Sequence, residues 1–177
     1  MFIHEMTEFE CRQALERAAV GRLACARDNQ PYVIPIYFAL HGDYLYSFTT
    51  LGQKIEWMRV NPRVCLEVDE RIGHDRWQSV VVFGHYEELL DLPKYEGARA
   101  RALELLQKHA MWWQPAGVGA THRDTPHSEI PITYRIRIDR MTGHRATPNA
   151  ESAATAEVPK DSDGWWVEIL RHIGIQS

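Results

Sequence analysis

The sequence predicts a mainly β fold, a small antiparallel barrel with peripheral helices, on three observations. Six apolar or alternating stretches of strand length follow one another at close spacing. Short polar turns join several of them, which antiparallel strands permit and parallel strands forbid. The 177 residues suit a single domain with a sizeable core.

The elements are expected in this order. Thr7 and Glu10 form a capping box at the head of a helix over Glu8–Ala19, whose inner face carries Cys11, Ala14, Leu15 and Ala18. Gly21–Arg27 reads as a strand, and Asp28-Asn29-Gln30 as a tight turn. Tyr32–Leu40 is almost wholly apolar and reads as a strand buried on both faces. Pro35 within it cannot donate to a ladder, so a bulge or an exposed backbone stretch is expected there. After the turn His41-Gly42-Asp43, Tyr44–Thr49 completes a three-stranded meander.

Leu51–Val60 predicts a short helix with Ile55 and Met58 inward, stopped by Asn61-Pro62. Arg63–Asp69 places Val64, Leu66 and Val68 on one face of a strand, and the polar connection Arg71–Arg76 leads into a long strand, Trp77–Leu89. Pro93–Trp113 is amphipathic at helical spacing. Ile130–Met141 alternates Ile132, Tyr134, Ile136 and Ile138 with polar residues. The barrel domain is expected over residues 1–146 and a small, polar, flexible linker over 147–164. In the terminal segment, 165–177, Trp166, Ile169, Leu170 and Ile173 make an amphipathic helix that must bury its apolar face on its own barrel or on a partner.

Composition narrows the function classes. A net charge of −4 argues against bulk attraction to nucleic acid or to an anionic membrane. No apolar run approaches the ~20 residues of a membrane span. The three cysteines include no CxxC pair, which fits a reducing cytoplasm rather than a disulfide framework. Nine histidines lack HxH or HExxH spacing, so no metal site is expected. No P-loop or nucleophile elbow is present.

The chemistry-bearing stretch is Tyr44–Val68. Its turn, Thr49-Thr50-Leu51-Gly52-Gln53-Lys54, offers two hydroxyls, a glycine and a lysine at a helix N-terminus. Free amides and the helix dipole favour an anion there, and Lys54 adds a point charge suited to phosphate. The tryptophans and tyrosines could wall a planar ligand or simply pack the core.

The ordered motifs VGRLA at Val20–Ala24, QPYVIPIYF at Gln30–Phe38, FTTLGQK at Phe48–Lys54, NPRV at Asn61–Val64 and SVVVFGHYEEL at Ser79–Leu89 go further. Across about residues 7–142 the chain resembles the pyridoxamine 5′-phosphate oxidase-like superfamily of FMN-binding split barrels. It is most similar to the small flavoproteins related to nitroimidazole-resistance proteins. The resemblance implies a six-stranded antiparallel split β-barrel that forms a homodimer with FMN at the subunit interface. It implies cofactor contacts from Val33, Ile34, Pro35, Ile36 and Tyr37 along the flavin, from Phe48, Thr49, Thr50 and Lys54 around the phosphate, and from Ser79, Trp113 and Gln114 of the other subunit.

This chain also departs from the pattern. Val33 stands where the oxidases have a phosphate-binding arginine, Gln53 where they have a second basic residue, and Ser47 where the resistance proteins have a histidine. Lys54 is therefore expected to hold the phosphate with help from Arg22, Arg59 or Arg63. Pyridoxamine phosphate oxidation is not expected, since nothing after Met141 resembles the substrate-gripping segment. The implied activity is hydride or electron transfer to a small molecule, with Tyr37 and His85 as candidate proton donors and no catalytic residue assigned. The competing readings are a non-catalytic protein that binds a flavin, a deazaflavin or haem, and a structural or regulatory dimer with an empty cleft.

Overall fold

A computed structural model describes residues 1–107 and 131–149. The expected contacts Trp113 and Gln114, the end of the long helix, most of the linker and the C-terminal helix lie outside the described residues.

Among the described residues there are eight strands rather than six. They are β1 (Phe2–Glu5), β2 (Val20–Arg27), β3 (Gln30–Tyr37), β4 (Ala39–His41), β5 (Tyr44–Thr49), β6 (Arg63–Arg71), β7 (Trp77–Glu88) and β8 (Ile132–Thr147). Three α-helices accompany them, α1 (Glu8–Arg17), α2 (Gln53–Val60) and α3 (Glu96–Gln107). Every pairing is antiparallel. The sheet runs β3-β2-β6-β7-β8-β5-β4, with β1 added to the far end of β8. β3 and β5 touch without a ladder. The barrel is therefore split along that line, which is the predicted class.

Two expectations fail here. The three-stranded meander is broken because Phe38 leaves the strand. Its side chain is fully buried and its amide donates to the Ala19 carbonyl at 3.1 Å. The chain then turns away as β4, and β5 pairs with β4 and β8 instead of β3. The run Tyr32–Leu40 is also not buried on both faces. β3 is an edge strand, and Val33 and Pro35 look outward, with Val33 58% exposed. At Pro35 there is no bulge. β3 stays in register with β2 from Gln30 to Tyr37, so the tolerated proline reflects a strand with one unpaired side.

Local chemistry explains most boundaries. The capping box at Thr7 forms as predicted, but α1 stops at Arg17 because Ala18 is already extended. The β2–β3 turn places Asp28 and Asn29 at φ 50 and 63, the left-handed region that Asp and Asn tolerate. Among the described residues the one register shift in the sheet is a bulge where Phe83 pairs with Arg140 and Gly84 with Ile138, leaving Asp139 as the extra residue. A Cβ on Gly84 would lie 2.3 Å from the Arg137 carbonyl oxygen and 2.7 Å from an Ile136 methyl. No side chain fits.

The main core lies inside the barrel. Leu23, Leu45, Leu66, Val80, Val82, Tyr134 and Ile136 face it, closed at one side by α1 and at an end by Ile55 and Met58 of α2. A second core forms outside β5, where Ala102 and Leu106 of α3 cover Tyr37, Tyr46 and Leu89. At the close of α2, Arg59 makes a bidentate pair with Glu88 at 2.8 Å through both nitrogens, and the Tyr86 hydroxyl donates to the same carboxylate at 2.8 Å. These contacts hold the Glu88 carboxyl below its usual range, chiefly through Arg59.

Gly84→Ala should therefore lower the urea midpoint of unfolding, costing about 2–3 kcal/mol from overpacking against backbone. Gly97→Ala, which meets nothing within 4 Å in α3, should be neutral or raise it by up to about 1 kcal/mol. The Glu88 effect has a definite sign. A carboxyl whose folded pKa is lowered stabilises the fold above its unfolded pKa, and this is lost as pH falls through the folded value. Glu88→Gln should cost about 1 kcal/mol at pH 7 and flatten the loss of stability below pH of about 4.5, read from melting temperature against pH.

Candidate functional site

The split between β3 and β5 ends at the turn that leads into α2. Beyond Tyr46 the edge of β5 is no longer paired with β4, so Ser47–Thr49 face the end of β3. Ser47 is 2% exposed, and its hydroxyl donates to the Tyr37 carbonyl at 2.7 Å. Ser47 is thus a stitch between the two edges. The Tyr134 hydroxyl is buried beside it, and burial pushes its pKa up to about 12.

The turn itself is rich in donors without acceptors. Gly52 is the N-cap of α2 and makes no side-chain cap. Its carbonyl accepts from Ile55 and Glu56, while the amides of Gln53 and Lys54 have no acceptor among the described residues. The half-buried hydroxyls of Thr49 and Thr50 make no hydrogen bond there either. Gly52 sits at φ 176, an extended value open to any residue, and a Cβ there would meet nothing within 4 Å. The fold does not require this glycine; open space lies before it.

Lys54 is half-buried and has no carboxylate within ion-pair range among the described residues. Burial lowers its pKa, and the nearby Cys25 thiol, itself pushed up by burial, acts against that shift. A cation held this way, beside unclaimed amides and hydroxyls, has the chemistry to receive a small oxyanion. The donor set fits a phosphate.

Two of the three expected helpers are engaged elsewhere. Arg22 is bound by Glu67 and Asp69, and Arg59 by Glu88. Arg63 is exposed at the start of β6 and has no carboxylate partner among the described residues. The other expected contacts divide between two surroundings. Val33, Ile34, Pro35 and Ile36 line the open edge strand, with Ile36 turned into the core. Tyr37 and Phe48 pack in the second core beneath α3, so their rings serve packing. Burial raises the Tyr37 pKa. Ser79 lies on β7, donates to Glu67 at 3.2 Å, and lines a separate concavity of about 290 Å³ with Trp77 and His74. One chain does not bring Ser79 to Lys54.

His85 is not at the split. It pairs with Asp139 at the β7–β8 bulge. Cys25 is buried and Cys65 half-buried, and burial pushes both thiols up. Among the described residues no group of three His, Cys, Asp or Glu side chains is placed to hold a metal ion. Sequence reasoning missed the Ser47 stitch; the polar residue in an otherwise apolar strand YLYSFT was its only signal.

The chain is similar to known proteins over this same frame. An uncharacterized protein of Rhizobium meliloti (strain 1021) is 39% identical over 146 residues, 82% of this chain and 97% of that protein. The crystal structure of an FAD-binding protein from Mesorhizobium loti is 42% identical with a TM-score of 0.70, covering 83% of this chain and 100% of that one. A candidate 5-nitroimidazole antibiotic resistance protein from Bacteroides thetaiotaomicron shares the fold at 20% identity and a TM-score of 0.59, covering 84% of this chain and 93% of that one. The model of the pyridoxamine 5′-phosphate oxidase family matches residues 7–145, the stretch that builds both the split barrel and the Lys54 turn, and the chain belongs to that family.

Proposed function

We propose that this chain is a flavoprotein that seats the phosphate of FMN at the Thr49–Lys54 turn and serves as an oxidoreductase for a small molecule. The observation that carries the reading is the set of unclaimed donors around Lys54, an unpaired and partly buried cation at a helix N-terminus. Lys54 supplies charge, the Gln53 and Lys54 amides and the Thr49 and Thr50 hydroxyls supply directed donors, and the space before Gly52 admits the phosphate oxygens. Val33–Tyr37 offer the unpaired side of β3 to the flavin ring, mainly through backbone groups. The flavin supplies the hydride or electron transfer when bound; the chain positions it and limits water around it. The Mesorhizobium loti relative favours a second reading, FAD in the same seat.

A homodimer completes the proposal. Val33, Ala24, Cys65 and Phe83 stand in one cross-strand row over β3, β2, β6 and β7, on the outward face of the barrel. Such a row is more apolar than a solvated sheet face normally is. Covering it with a second copy would bring a partner's residues, Ser79 among the expected ones, toward the cleft.

Absorbance maxima in the blue and near ultraviolet, with the mass of the released ligand, should identify the flavin and separate FMN from FAD. A colourless protein that ignores both would overturn the reading. Lys54→Ala should weaken flavin binding about 10- to 100-fold, the worth of one charge-assisted contact, while Lys54→Met should leave flavin-free stability unchanged or higher. Gly52→Ala should keep stability and weaken binding. In sedimentation, Phe83→Glu should shift the protein from dimer to monomer.

A further inference from the structure

The β2–β6 ladder stops at Arg22 opposite Glu67, whereas β6 and β7 stay paired as far as Arg71 and Trp77. Beyond Arg22 the strands part. The end of α1 lies over the gap without filling it, because it presents only the small side chains of Ala14 and the C-cap Ala18. A cavity of about 220 Å³ remains. Its border on β2 is Val20, about 16 Å along the strand from Cys25, the neighbour of Lys54. The cavity is therefore separate from the Lys54 turn.

The floor is apolar. Val68 and Val80 face each other across the ladder and are 4% and 0% exposed. Glu70 and Gln78 are the next facing pair on the same side and stand at the mouth. Two residues along a strand span about 7 Å, so floor and mouth lie one small molecule apart.

The mouth carries two opposite charges that do not meet. Arg17, the last residue of α1, has no carboxylate within ion-pair range among the described residues. Glu70 accepts from the Gln78 side-chain amide at 2.6 Å and has no cationic partner there. Gln78 is itself fixed, since Arg145 donates to its oxygen at 3.2 Å while pairing with Glu10 at 3.0 Å. Asp69, also at the mouth, is taken by Arg22. One guanidinium and one carboxylate, the latter oriented by a neutral amide, are left uncommitted around an apolar hollow.

We propose that this cavity binds a small aliphatic α-amino acid. Arg17 receives its carboxylate and Glu70 its ammonium, while the side chain rests on Val68 and Val80. A simple acid would meet Glu70 as a like charge, and a simple amine would meet Arg17 as one; a zwitterion satisfies both. A cavity of about 150 Å³ holds benzene, so 220 Å³ admits a branched chain of leucine's size. Occupancy of this site does not require a flavin.

Calorimetric titration of the full chain with probes of one shape reads each charge separately. The probes are L-leucine, 4-methylpentanoate, which lacks the ammonium, and 3-methylbutylamine, which lacks the carboxylate. L-Leucine should bind saturably, and each analogue about tenfold more weakly or worse, the worth of one charge-assisted contact. Arg17→Gln and Glu70→Gln, both at exposed positions, should each weaken leucine binding by a similar factor. Ala18→Leu, which fills the cavity, should abolish binding in a protein that circular dichroism shows to be folded. Absence of saturable leucine binding would overturn the proposal. An analogue that binds as tightly as leucine would overturn it in favour of a site that reads a single charge. Leucine binding that survives Ala18→Leu would put the ligand elsewhere and refute it.

Discussion

The bulge at Gly84 and Asp139 is the constraint on which the rest of the architecture depends. β7 is paired along its length with β6 on one side and β8 on the other. A straight β8 would keep its two halves in one flat ladder. The extra residue Asp139 bends it, and a bulged strand twists more strongly. Its first half then carries β5, and its second half carries β1 and receives α1 at Gly143, where a Cβ would lie 2.6 Å from the Cys11 sulfur. Because β5 is drawn to β8, β3 is left with β2 alone. The split follows from that choice of partners, and the Lys54 turn stands at its end.

Charge placement follows the same division. Three arginines on the outer sheet face have carboxylate or aromatic neighbours: Arg22 with Glu67 and Asp69, Arg135 with Glu87 and the Tyr44 ring, Arg140 over Phe83. Most of these pairs are partly solvated and contribute little to stability. Lys54 differs in kind. It is partly buried and lacks an opposite charge among the described residues. A partly buried cation without a counter-charge costs stability, and that cost is what singles Lys54 out.

Much of the fold was legible in the sequence because alternation and turn chemistry are local. β6 showed its inward Val64, Leu66 and Val68, α1 its capping box, and the β2–β3 turn its Asp-Asn pair. What was not legible depends on distant partners. β1 has four exposed residues and no alternation, and exists because β8 is long enough to receive it. β4 was hidden inside an apolar run, since a buried Phe38 looks the same in a strand or a corner. The site divided similarly. The concentration of donors at Thr49–Lys54 was legible from residue types, whereas the loss of Arg22 and Arg59 to carboxylates far away in sequence was not.

The prolines of β3 bear on how this molecule can associate. An edge strand normally exposes a row of amides and carbonyls that another chain's strand can extend into a continuous sheet. Pro31 and Pro35 interrupt that row on β3. Two copies that approach there are steered away from edge-to-edge growth, which has no natural end, and toward face-to-face contact, which closes after two. The prolines on the strand that borders the split thus protect that edge from propagating into a fibre.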